Sequence, residues 1–484
     1  MTADSITFGT DGWRAVMADQ FTFDNVRRVA DAIAVAARTL KPPAGVDANA
    51  LIVGYDRRFL SREFAGVVAE SLRGAGYRVL LSDRPTPSQT ISFTALHRKL
   101  LGGVVVTASH NPAKYNGLKF KAWYGGSALP EAYAAIAANV GNRDAREGGA
   151  IAEGNILDDY IDAVRAQLDV ALLKSAKLGI LHDAIHGVSA AIPSRILGID
   201  YIGVERILNR VRQPYETTIV DGIRGEINPA FGGVNPEPIP ENLAAAQDVM
   251  LTGNYDLAIC NDGDADRLGI LDERGAFVSP HKVISLLALY LVREKRLSGE
   301  IVKTFSTTRL IEKVATALGA TLHETPIGFK YVADLMLTRD VLVGGEESGG
   351  IGFGAFMPER DGILSGLGVA EAVAYYKMPL SQIIRRMEDE FGALHYDRRD
   401  VHRPMEQCAR LIDRVKAGQL DRAFGAAFAN REETDGVKMN FTDGSWILFR
   451  KSGTEPIIRI YCESPDADAV QSMLARAIEE LDRG

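Results

Sequence analysis

The chain is poor in cysteine: Cys260, Cys408 and Cys462 are the only three among 484 residues, scattered and without ligand spacing. That excludes a disulfide framework or a thiolate metal site and predicts a reducing, cytoplasmic setting. Excess positive charge is lacking too. The formal net charge is −8, so no basic stripe is expected to displace counterions from nucleic acid, and no nucleic-acid partner is predicted. An acidic total still permits a local cationic pocket for an anionic small molecule. The greasiest run, Val283 to Val292, is about half of the roughly 20 residues a membrane span needs. The opening Met1-Thr2-Ala3-Asp4-Ser5 has neither the basic nor the apolar region of a secretory leader. No membrane partner is predicted. A Walker A loop, a Gly-x-Ser-x-Gly elbow and a His-x-x-x-His pair are also missing, which disfavours a nucleotide triphosphatase or an esterase.

What remains is ordinary globular composition, 46% hydrophobic and 24% charged, in a chain too long for one core. Three or four domains are expected. A helix follows Phe21, with Val26, Val29, Ala30, Ile33, Ala34 and Ala37 on one face. Strands are predicted at Leu51–Tyr55, Tyr77–Leu81 and Leu101–Val106, alternating with helices as in βαβ units. The pattern restarts after the polar stretch from Gly141 to Gly154, with strands near Leu178 and Tyr255–Cys260. It restarts again at a helix from Pro280 to Leu297, followed by strands at Ile301–Thr304 and Val341–Val343. The last segment differs, with Lys438–Phe441, Ser445–Phe449 and Ile457–Tyr461 as a small antiparallel sheet under a helix from Asp466 to Leu481. The reading is three similar α/β domains with mixed, mostly parallel sheets and a C-terminal α+β domain. The expected divisions are 1–152, 153–276, 277–391 and 392–484.

Four loops carry chemistry. Ser109, in Thr107-Ala108-Ser109-His110-Asn111-Pro112, lies just past a buried strand, where α/β sheets place ligands. Asp262, Asp264 and Asp266 follow an apolar strand abruptly, and three such carboxylates repel unless a hard cation sits between them. Glu273 stands twelfth, as in an EF-hand, but Arg267 occupies the place that needs glycine, and strands flank the loop. Oxygen ligands favour Mg²⁺. Glu346, Glu347 and Ser348 among glycines suit sugar hydroxyls, which both donate and accept hydrogen bonds. Arg450-Lys451-Ser452-Gly453-Thr454-Glu455-Pro456 offers charge, a guanidinium fork and free N–H groups to a phosphate, with Arg459 close behind. Arg14, in the glycine-lined opening loop, could meet an anion.

These four motifs, in this order and spacing, resemble the α-D-phosphohexomutase superfamily over essentially the whole chain. The resemblance implies a heart-shaped, four-domain enzyme around a central cleft. It implies phosphorylation of Ser109 and Mg²⁺ held by Asp262, Asp264, Asp266 and the phosphoserine oxygen. Glu346 and Ser348 would hold sugar hydroxyls. Arg450, Ser452, Gly453, Thr454 and Arg459 would grip the phosphate that is not reacting, while Arg14, His110, Lys119 and Arg267 line the reacting end. Lys119 or His110 is the expected acid/base, the lysine only if its pKa is lowered.

Glu347, where glucosamine mutases usually carry Gln, and Gly328-Phe329-Lys330-Tyr331-Val332 resemble the glucose mutases, with Lys330 reaching the substrate. The implied reaction interconverts glucose 1-phosphate and glucose 6-phosphate, with glucose 1,6-bisphosphate as intermediate and activator. Phosphomannomutase or dual specificity is the near alternative, and a Mg²⁺-dependent sugar-phosphate phosphatase the distant one. Partners would be hexose phosphates, in a monomer or homodimer. Lys451, where many relatives have proline, and Asn228, where Asp is common, depart from the pattern.

Overall fold

A computed structural model describes residues 6–9, 11–203, 215–452 and 456–483. Three mixed sheets flanked by helices are followed by one antiparallel sheet. The first sheet has seven strands, ordered Phe8–Gly9, Gly12–Val16, Tyr115–Ala122, Leu100–Val106, Asp47–Tyr55, Arg78–Ser82 and Ala150–Gly154. From Leu101 to Val106 the central strand is wholly buried, as an unbroken apolar run should be when helices cover a parallel sheet. The helix Phe23–Ala37 starts where Thr22 accepts a hydrogen bond from the Asn25 N–H, and it buries the six apolar positions expected of its face. The strand Ala150–Gly154 straddles the expected division at 152.

The second sheet runs Phe277–Val278, Leu268–Asp272, Leu257–Asn261, Gly179–Asp183, Ile219–Ile223 and Tyr201–Gly203. Its first strand lies just past the expected division at 276. The third runs Leu322–Thr325, Glu300–Thr304, Val341–Gly345 and Ile351–Gly352. One apolar core is continuous through both, from Leu178 and Ile259 to Leu287, Val343 and Leu367. The greasy run near Val283 belongs to this core. Its helix, Pro280–Leu289, gives way to a π-turn over Tyr290–Glu294 rather than continuing to Leu297. No helix among the described residues is long and apolar enough to cross a membrane.

The fourth sheet orders His395–His402, Ile457–Ser464, Trp446–Lys451, Val437–Phe441 and Phe428–Glu432, all antiparallel. Its own core includes Leu411, Met439, Phe449 and Leu474. It meets the third unit through a small cluster of Phe305, Trp446, Leu448 and Tyr461. Burying side chains of this size is worth roughly 2–3 kcal/mol each.

Among the strands that the pattern does not announce, two position the site. Tyr115–Ala122 and Leu268–Asp272 run antiparallel to the strands before them. Lys119 and Lys121 interrupt the apolar alternation of the first, yet both are fully buried because carboxylates meet them. As a result every chemistry-bearing loop occupies the same kind of place. Residues 107–114, 262–267 and 346–350 each bridge two adjacent antiparallel strands, and the strands Trp446–Lys451 and Ile457–Ser464 on either side of the fourth loop pair antiparallel as well.

Candidate active site

Three of these turns interlock. Ser109 takes a left-handed backbone, φ +52°, and its hydroxyl donates to Asp262 Oδ2 at 2.8 Å. Position 263 must be glycine, since a Cβ there would stand 2.7 Å from the Ser109 carbonyl oxygen. The Ser88 N–H donates to the Asp264 carbonyl at 3.1 Å, and the Leu268 N–H to that of Gly349 at 3.0 Å. Backbone contacts therefore join the serine-bearing, aspartate and glutamate units.

Asp262, Asp264 and Asp266 are wholly buried, with one oxygen from each lying within 4.8 Å of the others. Lys119 Nζ stands 2.9 Å from Asp264, 3.2 Å from Asp266 and 3.2 Å from Asp11. The trio also keeps two oxygens, Asp264 Oδ1 and Asp266 Oδ1, that are buried and without a hydrogen-bond partner. Such orphaned acceptors cost about 1–3 kcal/mol each. Hard oxygen donors in this number fit a small divalent cation such as Mg²⁺. Burial and the two neighbouring carboxylates push Asp262 well up, whereas at Asp264 burial is outweighed by Lys119 and the pKa falls.

The two acid/base candidates separate. Burial works against charge on Lys119, but Asp11, Asp264 and Asp266 prevail and raise its pKa, the reverse of what a lysine base requires. His110 has Nδ1 3.4 Å from Ser109 Oγ. Burial, then Arg267 and Arg14, lower its pKa well below the usual histidine range and keep the ring neutral. Arg14 is anchored by Asn111 Oδ1 at 2.7 Å. The Arg267 N–H caps Asp262 Oδ1 at 3.0 Å, and its guanidinium pairs with Glu237 at 2.8 Å.

Sequence reasoning missed Arg360 and Asp11. Arg360 lies 2.7 Å from Asp266, 3.2 Å from Asp11 and 3.5 Å from Glu346, tying the aspartate turn to the glutamate turn. The available signal was Glu359-Arg360-Asp361 standing directly before the apolar helix Gly362–Tyr376. All three of those charged residues are buried. Glu346 is buried as well, and burial raises its pKa to about 7 against the pull of Arg360. Ser348 and Glu347 are half-buried, with Glu347 3.3 Å from the Thr304 hydroxyl.

Arg450, at the edge of the fourth loop, is tied to the junction with the third unit. Arg450 Nε donates to Asp435 at 2.8 Å, and the other oxygen of Asp435 accepts from the Ile327 N–H at 3.0 Å, beside the Lys330 segment. Lys330 is half-buried, its Nζ over the Tyr331 ring. On the neighbouring strands Arg459 sits 3.6 Å from Asp400, which also holds Arg398, a cation that the sequence pattern did not single out. Ser452 is buried; Gly453 and Thr454 lie outside the described residues. Glu273, the EF-hand position, instead accepts from the Ser381 N–H at 3.1 Å.

Comparison with known proteins agrees with this arrangement. The four phosphoglucomutase/phosphomannomutase family models match residues 5–147 (α/β/α domain I), 158–275 (domain II), 279–391 (domain III) and 409–480 (C-terminal domain). A Thermococcus kodakarensis phosphoglucomutase/phosphomannomutase is 29% identical, with 98% of each chain covered. A Methanothermobacter thermautotrophicus protein provisionally described as a phosphoglucosamine mutase is 31% identical, over 99% of this chain and 97% of its own. The crystal structure of a Thermus thermophilus protein provisionally described as a phosphomannomutase superposes with a TM-score of 0.83 at 35% identity, over 99% of both chains. The chain belongs to the phosphoglucomutase/phosphomannomutase family, within the phosphohexomutases.

Proposed function

We propose that the chain interconverts glucose 1-phosphate and glucose 6-phosphate through a phosphoserine at Ser109 and a glucose 1,6-bisphosphate intermediate. The observation that carries this reading is the Ser109 hydroxyl 2.8 Å from Asp262, inside a carboxylate trio with orphaned oxygens. Asp262, Asp264 and Asp266, with a phosphoryl oxygen on Ser109, would hold Mg²⁺. When bound, the ion neutralises charge on the transferring phosphoryl oxygens.

The rest falls to side chains. The P–O bond to Ser109 Oγ breaks as a new one forms to a hexose hydroxyl. His110, neutral and beside Oγ, takes the hydroxyl proton and returns it to the departing serine oxygen. Lys119, Arg360, Arg267 and Arg14 supply fixed positive charge around the phosphoryl group. Glu346 and Ser348 orient the ring hydroxyls, and Lys330 helps hold the substrate. Arg450, Ser452 and Arg459, with Gly453 and Thr454, grip the phosphate at rest. The bisphosphate then turns end for end and returns its other phosphoryl to Ser109. Glu347 favours glucose over the amino sugar, and a reducing cytoplasm is the setting this chemistry and the free cysteines suit.

A coupled dehydrogenase assay tests the reading. Glucose 1-phosphate with catalytic bisphosphate is expected to give glucose 6-phosphate without phosphate release. Mannose 1-phosphate should fall within about tenfold to a hundredfold, since one inverted hydroxyl discriminates modestly. Stoichiometric phosphate release would point to the phosphatase, and silence with every hexose phosphate to a binding protein.

Glu346 adds a pH dependence. Its carboxyl titrates near 7 rather than near 4.5, so the hydroxyl-accepting anion forms only as pH rises through 7. The kcat/KM profile should show an acid limb with its midpoint near there. In Glu346→Gln the limb should vanish while kcat/KM at pH 8 drops by about tenfold or more. Stability runs the other way. A carboxyl raised in the folded state costs nothing below its unfolded value and progressively more up to pH 7, so Glu346→Gln should melt higher at pH 8.

A further inference from the structure

Beneath the serine turn lies a side chain that the reaction scheme does not use. Arg58 is wholly buried, and all five of its N–H donors are accounted for within 3.1 Å. Nε donates to Asp56 Oδ2, one terminal nitrogen to the carbonyls of Pro112 and Tyr115, and the other to those of Ser109 and Asn111. Three carbonyls of one turn and that of Tyr115, which opens the next strand, thus converge on a single planar cation. A lysine, with three donors on a tetrahedral nitrogen, cannot reproduce that fork.

The other half of the circuit runs through Asp56. Its Oδ2 also accepts from the Thr107 hydroxyl at 2.7 Å, and the Thr107 oxygen in turn accepts from the Ser109 N–H at 2.8 Å. Both backbone polar groups of Ser109 are therefore tied to one buried ion pair, its carbonyl directly and its N–H through Thr107. This matters because Ser109 is held in the left-handed region, φ +52°, which a residue bearing a Cβ adopts only when its surroundings impose it. The guanidinium also lies 4.9 Å over the ring of Phe231, a fully buried side chain from the second unit, which supplies the carboxylate trio. Arg58 thus touches both partners whose relative placement sets the contact between Ser109 and Asp262.

We infer that the Arg58–Asp56–Thr107 circuit is a positioning device, holding Ser109 Oγ against the aspartate trio without touching substrate. The inference rests on the phosphoserine reading of this site, and its test separates the two. The measurement is single-turnover transfer from the Ser109-phosphorylated enzyme to hexose phosphate, alongside steady-state kcat and KM. A displacement of about 1 Å costs on the order of a hundredfold in rate, so Arg58→Lys is expected to lose about that factor in transfer rate and kcat. The KM and the equilibrium binding of hexose phosphate should change less than about threefold, because the clamp residues are untouched. Thr107→Val, which keeps the shape but loses the relay, should lose at least about tenfold, and Thr107→Ser should restore most of it. A merely structural role would lower the melting temperature and the active fraction but leave the rate per phosphorylated molecule intact. That outcome in both Arg58→Lys and Thr107→Val overturns the inference. If Arg58→Lys does not fold, the Val and Ser pair at position 107 decides alone. A wild-type chain that neither acquires phosphate on Ser109 nor turns over would overturn the mutase reading itself, and the inference with it.

Discussion

Replacing Ser109 with alanine should reduce mutase turnover by about 10⁶-fold, the scale on which an enzyme loses its covalent nucleophile. The size follows from what no neighbour can replace. Among the side chains that meet at this point, the others are acids, cations and the neutral ring of His110, and the one nearby hydroxyl, that of Thr107, is committed to Asp56 and the Ser109 N–H. The geometry of that turn does not depend on the hydroxyl. The Ser109 N–H and carbonyl are held by Thr107 and Arg58, so the Ala variant should fold and keep its affinity for hexose phosphate. Intact mass spectrometry should find one added phosphate on the wild-type protein incubated with bisphosphate and none on the variant. Substantial turnover by the variant would remove the basis of the proposed cycle.

Stripping divalent cations, or replacing Asp264 with alanine, should bring the second-largest loss, about 10³-fold or more, since charge stabilisation by the ion supplies several kcal/mol in such transfers. Chelation should not unfold the protein. Without the ion, Lys119 and Arg360 pair with Asp264 and Asp266 and offset the repulsion within the trio. Returning Mg²⁺ should raise the melting temperature in proportion to the logarithm of its concentration and restore activity to the wild type but not to Asp264→Ala. Binding should also release protons, because burial and two neighbouring carboxylates raise Asp262 and a ligand must bind in its ionised form. Calorimetric titration in two buffers of different ionisation enthalpy reads that release. Full activity after exhaustive chelation would contradict the assignment of the trio.

Much of this architecture is legible along the chain, for reasons that can be named. The four loops stand out because each sets charged or hydroxyl residues directly after an apolar strand, three of them against glycine and the serine loop against Pro112. The buried lysines at 119 and 121 hide the strand that carries them, since their partners, Asp264 and Glu359, lie 145 and 238 residues away. Arg360 escapes notice for the same reason: its meaning comes from Asp266 and Asp11, 94 and 349 residues distant. Lys119 shows the limit most clearly. Position and residue type suggest a base, but its electrostatic surroundings come from three acids on two other turns, and they hold its proton on.

The recurrence of one arrangement in all four units bears on how such a chain can change. The strands on either side of each chemistry-bearing turn pair with each other, and the helices lie beyond them. Insertions on the helical side can therefore accumulate without moving the reacting atoms. Conversely, residues 346–350 can be rewritten while their flanking strands stay put. If these residues read the sugar as proposed, new sugar preferences would be open to descendants of this sequence through a handful of point changes, with the other three turns inherited intact.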